Sequence, residues 1–214
     1  MIEAVYLDIG ETILDRSREH AAAAAACGVS AHTFSAVFGA IIAAGGTVAD
    51  VHAAFGMVAP AATRVALRET DLFPHARAAM ALLRRDGRFV GVAGNQTSLL
   101  AAQLRALALP ADDVVASAEL GLAKPDPRFF EALASRCRHA PASIVYVGDQ
   151  LDNDVVAAVD AGLHAVRVLT GPWGRLCRNA QIERRCLAVI DTLAELPDVL
   201  RTVDREELPN QRSA

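Results

Sequence analysis

Residues 143–154 read Ser143-Ile144-Val145-Tyr146-Val147-Gly148-Asp149-Gln150-Leu151-Asp152-Asn153-Asp154. The run Ser143 to Val147 has the length and β-branched content of a strand buried on both faces. Gly148 stops it, and carboxylates follow at positions 149, 152 and 154. Beyond them, Val155 to Ala161 is helical in character, Gly162 ends the helix, and His164 to Leu169 reads as another strand. Strand, acidic turn, short helix and strand make a βαβ unit, whose two strands run parallel.

The same alternation extends upstream. Helices are expected over Pro74–Arg85, Ser98–Leu107 and Asp126–Cys137, and strands over Arg88–Ala93 and Asp113–Ser117. Ile2 to Ile9 is a short buried strand ending near Asp8, with Gly10 as the turn. Downstream, Ala188 to Ile190 is a weak last strand, followed by a helix from Thr192 to about Val203 and a polar tail over 204–214. Residues 16–70 differ, being helical throughout. His20 to Cys27 is stopped by Gly28, Ala31 to Ala44 by Gly45-Gly46, a third helix capped by Thr47 runs to Phe55, and Pro60 opens a fourth over Ala61–Glu69. The expected organisation is an α/β core over 1–15 and 71–214, with an all-helical cap over 16–70 inserted after the first strand.

Composition narrows the function. The 214 residues carry 21 Lys plus Arg against 25 Asp plus Glu, a formal charge of −4, and are 53% hydrophobic and 21% charged. That is a globular balance, and with no basic run it argues against a dedicated nucleic-acid binder. No stretch reads as transmembrane, and Glu3 and Asp8 interrupt what a secretory signal would need. Cys27, Cys137, Cys177 and Cys186 show neither CxxC pairing nor metal-ligand spacing, so free thiols in a reducing cytoplasm are expected. Only one basic residue is a lysine, Lys124. Lysine supplies a compact, strongly hydrated point charge that arginine does not.

Ligands of parallel α/β sheets bind beyond the carboxyl ends of the strands. Asp8 stands there after the first strand, Gly94-Asn95 after the second, and Asp149 with Asp154 after the strand at 143–147. Lys124 precedes the helix at 126. Carboxylates brought this close repel one another unless a cation intervenes, and an all-oxygen set suits a hard divalent ion, most simply Mg²⁺. A metal beside a lysine suits an anionic substrate, above all a phosphoryl group.

The order Asp8…Asn95…Lys124-Pro125…Gly148-Asp149…Asp154, with Gly121-Leu-Ala-Lys-Pro-Asp-Pro127 and the strand-terminal Asp8-x-x-x-Thr12, resembles the haloacid dehalogenase-like (HAD) hydrolase superfamily over essentially the whole chain. The resemblance implies a Rossmann-like parallel sheet with an inserted helical cap. It implies Asp8 as a nucleophile forming an aspartyl-phosphate and Lys124 as the neutralising cation. Mg²⁺ would be held by Asp8, Asp149 and the Gly10 carbonyl. Asp154 would orient Lys124 or a metal-bound water, and Thr12 would set the turn. Gly94, Asn95 and Lys124 would meet the substrate phosphate.

Two positions depart from the pattern. The family's phosphatases carry a general acid/base aspartate where this chain has Gly10, a group that typically contributes roughly 10²–10⁴-fold. They also carry Ser or Thr where it has Gly94. Glu11 is the candidate replacement for the missing acid/base. The expectation is a Mg²⁺-dependent hydrolase of small phosphorylated metabolites that favours good leaving groups such as acyl phosphates. The alternatives are a catalytically degenerate protein that binds a phosphorylated ligand or partner, and 2-haloacid dehalogenase-type halide displacement. Asn95 is open between ordering its loop and contacting substrate, and Trp173 between packing and walling the site. Arg16, Arg18, Arg64 and Arg68 read as solvated cap faces unless one contacts substrate.

Overall fold

The strand pattern predicts a parallel sheet, and the computed structural model, which describes residues 1–57 and 65–206, contains one. Six strands, β1 (Ala4–Leu7), β2 (Phe89–Gly94), β3 (Asp113–Ala116), β4 (Ile144–Gly148), β5 (His164–Val168) and β6 (Ala188–Ile190), pair in the order β3-β2-β1-β4-β5-β6. All five pairings are parallel. The chain builds outward from β1 to β3, then returns to the other side of β1 with β4. The order therefore reverses at β1, and a doubly wound sheet opens its ligand crevice at the carboxyl ends flanking such a reversal. This is a Rossmann-like α/β fold.

The helices are α1 (Ser17–Ala26), α2 (Ala31–Ala43), α3 (Val48–Ala54), α4 (Ala76–Arg85), α5 (Ser98–Ala106), α6 (Ser117–Leu120), α7 (Pro127–Cys137), α8 (Ala157–Asp160), α9 (Pro172–Leu176), α10 (Ala180–Glu183) and α11 (Leu196–Glu206). Successive strand side chains point to opposite faces. Val5, Leu7, Val90, Val92, Val145 and Val147 meet α4 and α11 on one face. Ala4, Tyr6, Ile144 and Tyr146 meet Phe129, Phe130 and Leu133 of α7 on the other. Gly91 is required here, because a Cβ on it would lie 2.1 Å from Cε1 of Tyr6. A separate cluster, Ala24, Phe34, Phe38, Ile42 and Val51, joins α1, α2 and α3, and Trp173 and Cys177 pack against it. Trp173 meets the Phe38 ring edge-on at 5.3 Å between centroids. Thr47 caps α3 through a reciprocal bond with Asp50.

Several boundaries differ from expectation. The first strand pairs over four residues only. Of the helix expected over 61–69, residues 61–64 lie outside the described residues, as does Pro60. Residues 65–68 have no regular structure, and Glu69–Asp71 form one 3-10 turn. The expected helix at 155–161 is reached through a wider π-helical turn, Leu151–Val156. The last helix extends to Glu206, with the remaining tail outside the described residues. The short helices α6, α9 and α10 were not read from the sequence. Among the described residues no single helix is long and apolar enough to cross a membrane, and all four cysteines are free thiols.

Candidate active site

Asp8 follows β1, and its N–H donates to the Val147 carbonyl at 2.8 Å, which ties the turn to the end of β4. Asp149 follows β4 directly. Lys124 arrives from the loop between α6 and α7. Its Nζ donates to Asp8 Oδ1 at 2.6 Å and to Asp154 Oδ1, and lies 5.0 Å from the Tyr146 ring centroid. The second oxygen of Asp154 accepts from the Gln150 N–H at 2.8 Å. A Cβ at Gly148 would lie 2.3 Å from that carboxylate, so only glycine lets Asp154 approach the strand end so closely. The π-helical turn carries Asp154 back over Gly148, in keeping with the occurrence of π-bulges at functional sites.

Burial makes these charges consequential. Asp8 is 6% exposed, Lys124 7%, Asp154 1% and Asp149 0%. One oxygen each from Asp8, Asp149 and Asp154 lie within 4.8 Å of one another. Both Asp149 oxygens are buried with no hydrogen-bond partner, although nearly all buried polar groups have one. Burial, and then the charges of Asp154 and Asp8, raise the Asp149 carboxyl well above the usual carboxylate range. Burial raises Asp8 too, against the opposing pull of Lys124. On Lys124 burial acts downward, but Asp154 and Asp8 outweigh it and hold the ammonium well above its ordinary value. Three carboxylates against one ammonium leave an excess of negative charge, and two bare oxygens face it. This donor set fits a hard divalent cation.

The other sequence candidates are placed as follows. Asn95 clamps the lysine loop: its Nδ2 donates to the Lys124 carbonyl and its Oδ1 accepts from the Lys124 N–H, each at 2.8 Å. A Cβ at Gly94 would lie 2.5 Å from Asp8 Oδ1, so Asp8 itself occupies the space of the absent hydroxyl side chain. Thr12 is fully buried in the turn. Glu11 has left-handed backbone (φ 57°) and packs against Gly171, while Thr170 Oγ1 donates to its carbonyl. Burial pushes its carboxyl up to about 7. It lines a cavity of about 460 Å³ between α1, α2 and α9, along with Ser17, His20 and Ser35, and the lining does not include Asp8. Beside Gly10 stand Arg16 and Gln96. Arg18 is instead locked to Asp71 through Nη1 at 2.8 and 2.6 Å.

Tyr146 was not anticipated. Its hydroxyl lies 2.8 Å from the Ala93 carbonyl and 3.2 Å from Asp8 Oδ1. A phenol in an otherwise aliphatic strand was the available signal.

Residues 121–196, which carry Lys124, Asp149 and Asp154, match the HAD-hydrolase-like family. The magnesium-bound HAD-hydrolase YfnB of Bacillus subtilis shares the fold, with a TM-score of 0.69 at 18% identity over 94% of this chain and 99% of that one. Over residues 121–196 the chain is thus similar in sequence to HAD-hydrolase-like proteins, and over nearly its whole length it shares their fold. Two further proteins are similar in sequence. The glyceraldehyde 3-phosphate phosphatase of Methanocaldococcus jannaschii is 32% identical over 95 residues, 44% of this chain and 40% of the relative. The ribulose-1,5-bisphosphate 5-phosphatase of Halopiger xanaduensis is 30% identical over 140 residues, 63% of this chain and 59% of the relative. The chain thus spans less than two thirds of the length of these relatives.

Proposed function

We propose that the protein is a Mg²⁺-dependent phosphohydrolase of small phosphorylated metabolites, working through an aspartyl-phosphate at Asp8. The observation that carries this reading is the pair of buried, unpartnered Asp149 oxygens beside the Asp8–Lys124–Asp154 ion network. Asp8, Asp149 and the Gly10 carbonyl would hold the cation, which when bound offsets the negative charge that otherwise keeps a carboxylate from a phosphoryl dianion. The activities for which the two relatives are named, glyceraldehyde 3-phosphate and ribulose-1,5-bisphosphate phosphatase, support a substrate of that class.

In this reading Lys124 fixes Asp8 Oδ1 and neutralises charge as a carboxylate oxygen attacks phosphorus. The new acyl-phosphate bond forms as the bond to the leaving oxygen breaks, and the leaving group keeps the electron pair. Water then attacks phosphorus, releasing phosphate and restoring the Asp8 carboxylate. Asp154 holds Lys124 from the other side, and Asn95 holds the backbone on which Lys124 sits. With Gly10 in place of an acid, leaving groups that depart readily are favoured. Glu11, a buried carboxyl on this turn, is the candidate to move the proton of the attacking water. The helices α1, α2 and α3 act as the cap, and residues 16–70 are its proposed extent. Because Asp8 is nearly sealed, substrate enters by movement of the cap. The free thiols support a reducing, cytoplasmic setting.

The test is Mg²⁺-dependent phosphate release from a panel of acyl phosphates and phosphate esters, with Asp8→Asn as control. Release from acyl phosphates that the control and EDTA abolish is expected. No release above the control across the panel would favour a ligand-binding protein, a reading to which Gly10 and Gly94 lend weight. Metal-independent acid production from 2-haloacids would favour halide displacement.

A further inference from the structure

The position where Gly10 lacks a side chain is closed by two neighbouring side chains. A Cβ built on Gly10 would lie 3.1 Å from Arg16 Cδ, 3.8 Å from Arg16 Nη1 and 3.7 Å from Gln96 Nε2. Where an acid/base aspartate would project, this chain presents a guanidinium and a carboxamide. Glu19 grips the far edge of the guanidinium, accepting from Nε at 2.7 Å and lying 2.6 Å from Nη2. Nη1, the nitrogen turned to Gly10, makes no hydrogen bond among the described residues, and neither does the Gln96 side chain. Glu19 therefore orients Arg16 and leaves donors free on the site side. The neighbouring Arg18 turns elsewhere, donating through Nη1 to Asp71 and to the Ala66 carbonyl. Arg16 also borders a cavity of about 170 Å³ between α1, α2 and α3, so it stands between Gly10 and that cavity.

We propose that Arg16 and Gln96 form a second anion subsite above Gly10, so that the preferred substrate carries a second anionic group, a carboxylate or a further phosphate, besides the phosphoryl group presented to Asp8. The proposal rests on the phosphohydrolase reading, because the first anion is the one held by Lys124 and the cation. The charge balance favours it. The phosphoryl group has its own ammonium and cation on the core side, whereas Arg16 lies on the cap side with nothing in the reaction to neutralise. A guanidinium offers fixed paired donors that match a carboxylate or phosphate. Gly10 also places no carboxylate beside Nη1, where an aspartate would repel an anionic ligand group.

The test compares two non-hydrolysable probes by calorimetry on the Mg²⁺-loaded protein. Methylphosphonate carries one anionic group, and phosphonoacetate carries a phosphonate and a carboxylate. Charge-assisted bonds of this kind predict that phosphonoacetate binds about tenfold or more tighter than methylphosphonate. Arg16→Gln should remove the difference, Arg16→Lys should restore part of it, and methylphosphonate binding should stay within about threefold throughout. The Arg16–Glu19 pair is a third exposed, so melting of the variants should match the wild type and exclude misfolding. Equal affinity for the two probes on the wild type, or a preference that survives Arg16→Gln, overturns the subsite while leaving the phosphohydrolase reading intact. Binding of neither probe with Mg²⁺ present overturns both.

Discussion

Between Asp8 and Asp154 there is room for one ammonium, and the chain places its only lysine there. Arginine cannot take over: its planar fork is wider than a point charge and would have to fit within a site 1–8% exposed at these side chains. Lys124→Arg should therefore lose on the order of 10²-fold or more in kcat for Mg²⁺-dependent phosphate release, comparable to the loss of a general catalytic group, while circular dichroism shows a folded protein. Gly94 carries a less obvious prediction. Adding a hydroxyl with Gly94→Ser should lower activity, because its Cβ would sit 2.5 Å from Asp8 Oδ1 and displace the proposed nucleophile. A gain in phosphate release from that variant would show that Asp8 has space to yield. From the sequence, the cluster was legible: Asp8 and Asp149 by their strand-end positions, Lys124 as the only lysine, and Asp154 by its spacing from Asp149. The positions of Tyr146 beside Asp8 and of Arg16 beside Gly10 were not, because they depend on which side chains fold over those residues, a long-range fact.

At the scale of elements, the strands were legible because their runs of Val, Ile and Ala are buried on both faces. Helices α6, α9 and α10 were not, since four or five residues make little more than one turn and such turns form only with tertiary support. The π-helical turn at 151–156 escaped for a related reason: Asp154 bending back to the Gln150 N–H widens it, and residue spacing does not encode that. The loop that delivers Lys124 is held by the paired bonds of the Asn95 amide. Asn95→Ala should cost about 1–2 kcal/mol of stability, the scale of losing such bonds. It should also lower kcat more than it raises KM, because it releases the lysine. A rise in KM alone would instead make Asn95 a substrate contact.

Across the whole molecule, the reversal of strand order at β1 gathers the ends of β1 and β4, and with them Asp8 and Asp149, at one edge. The helical block packs over it through Phe38 and Trp173. A cation that binds only the folded chain stabilises it by mass action, about 2.7 kcal/mol at a hundred times its Kd. Mg²⁺ should therefore raise the melting temperature of the wild type and leave Asp149→Asn unmoved, a readout independent of turnover. An equal shift in both would place the cation elsewhere. The central claim, covalent chemistry at Asp8, is tested most directly by mass spectrometry of protein acid-quenched during turnover of acetyl phosphate with Mg²⁺. The account predicts one phosphoryl group on the peptide containing Asp8, absent with EDTA and in Asp8→Asn. Phosphate release at the wild-type rate by Asp8→Asn, or a phosphoryl group on any other residue, would contradict it.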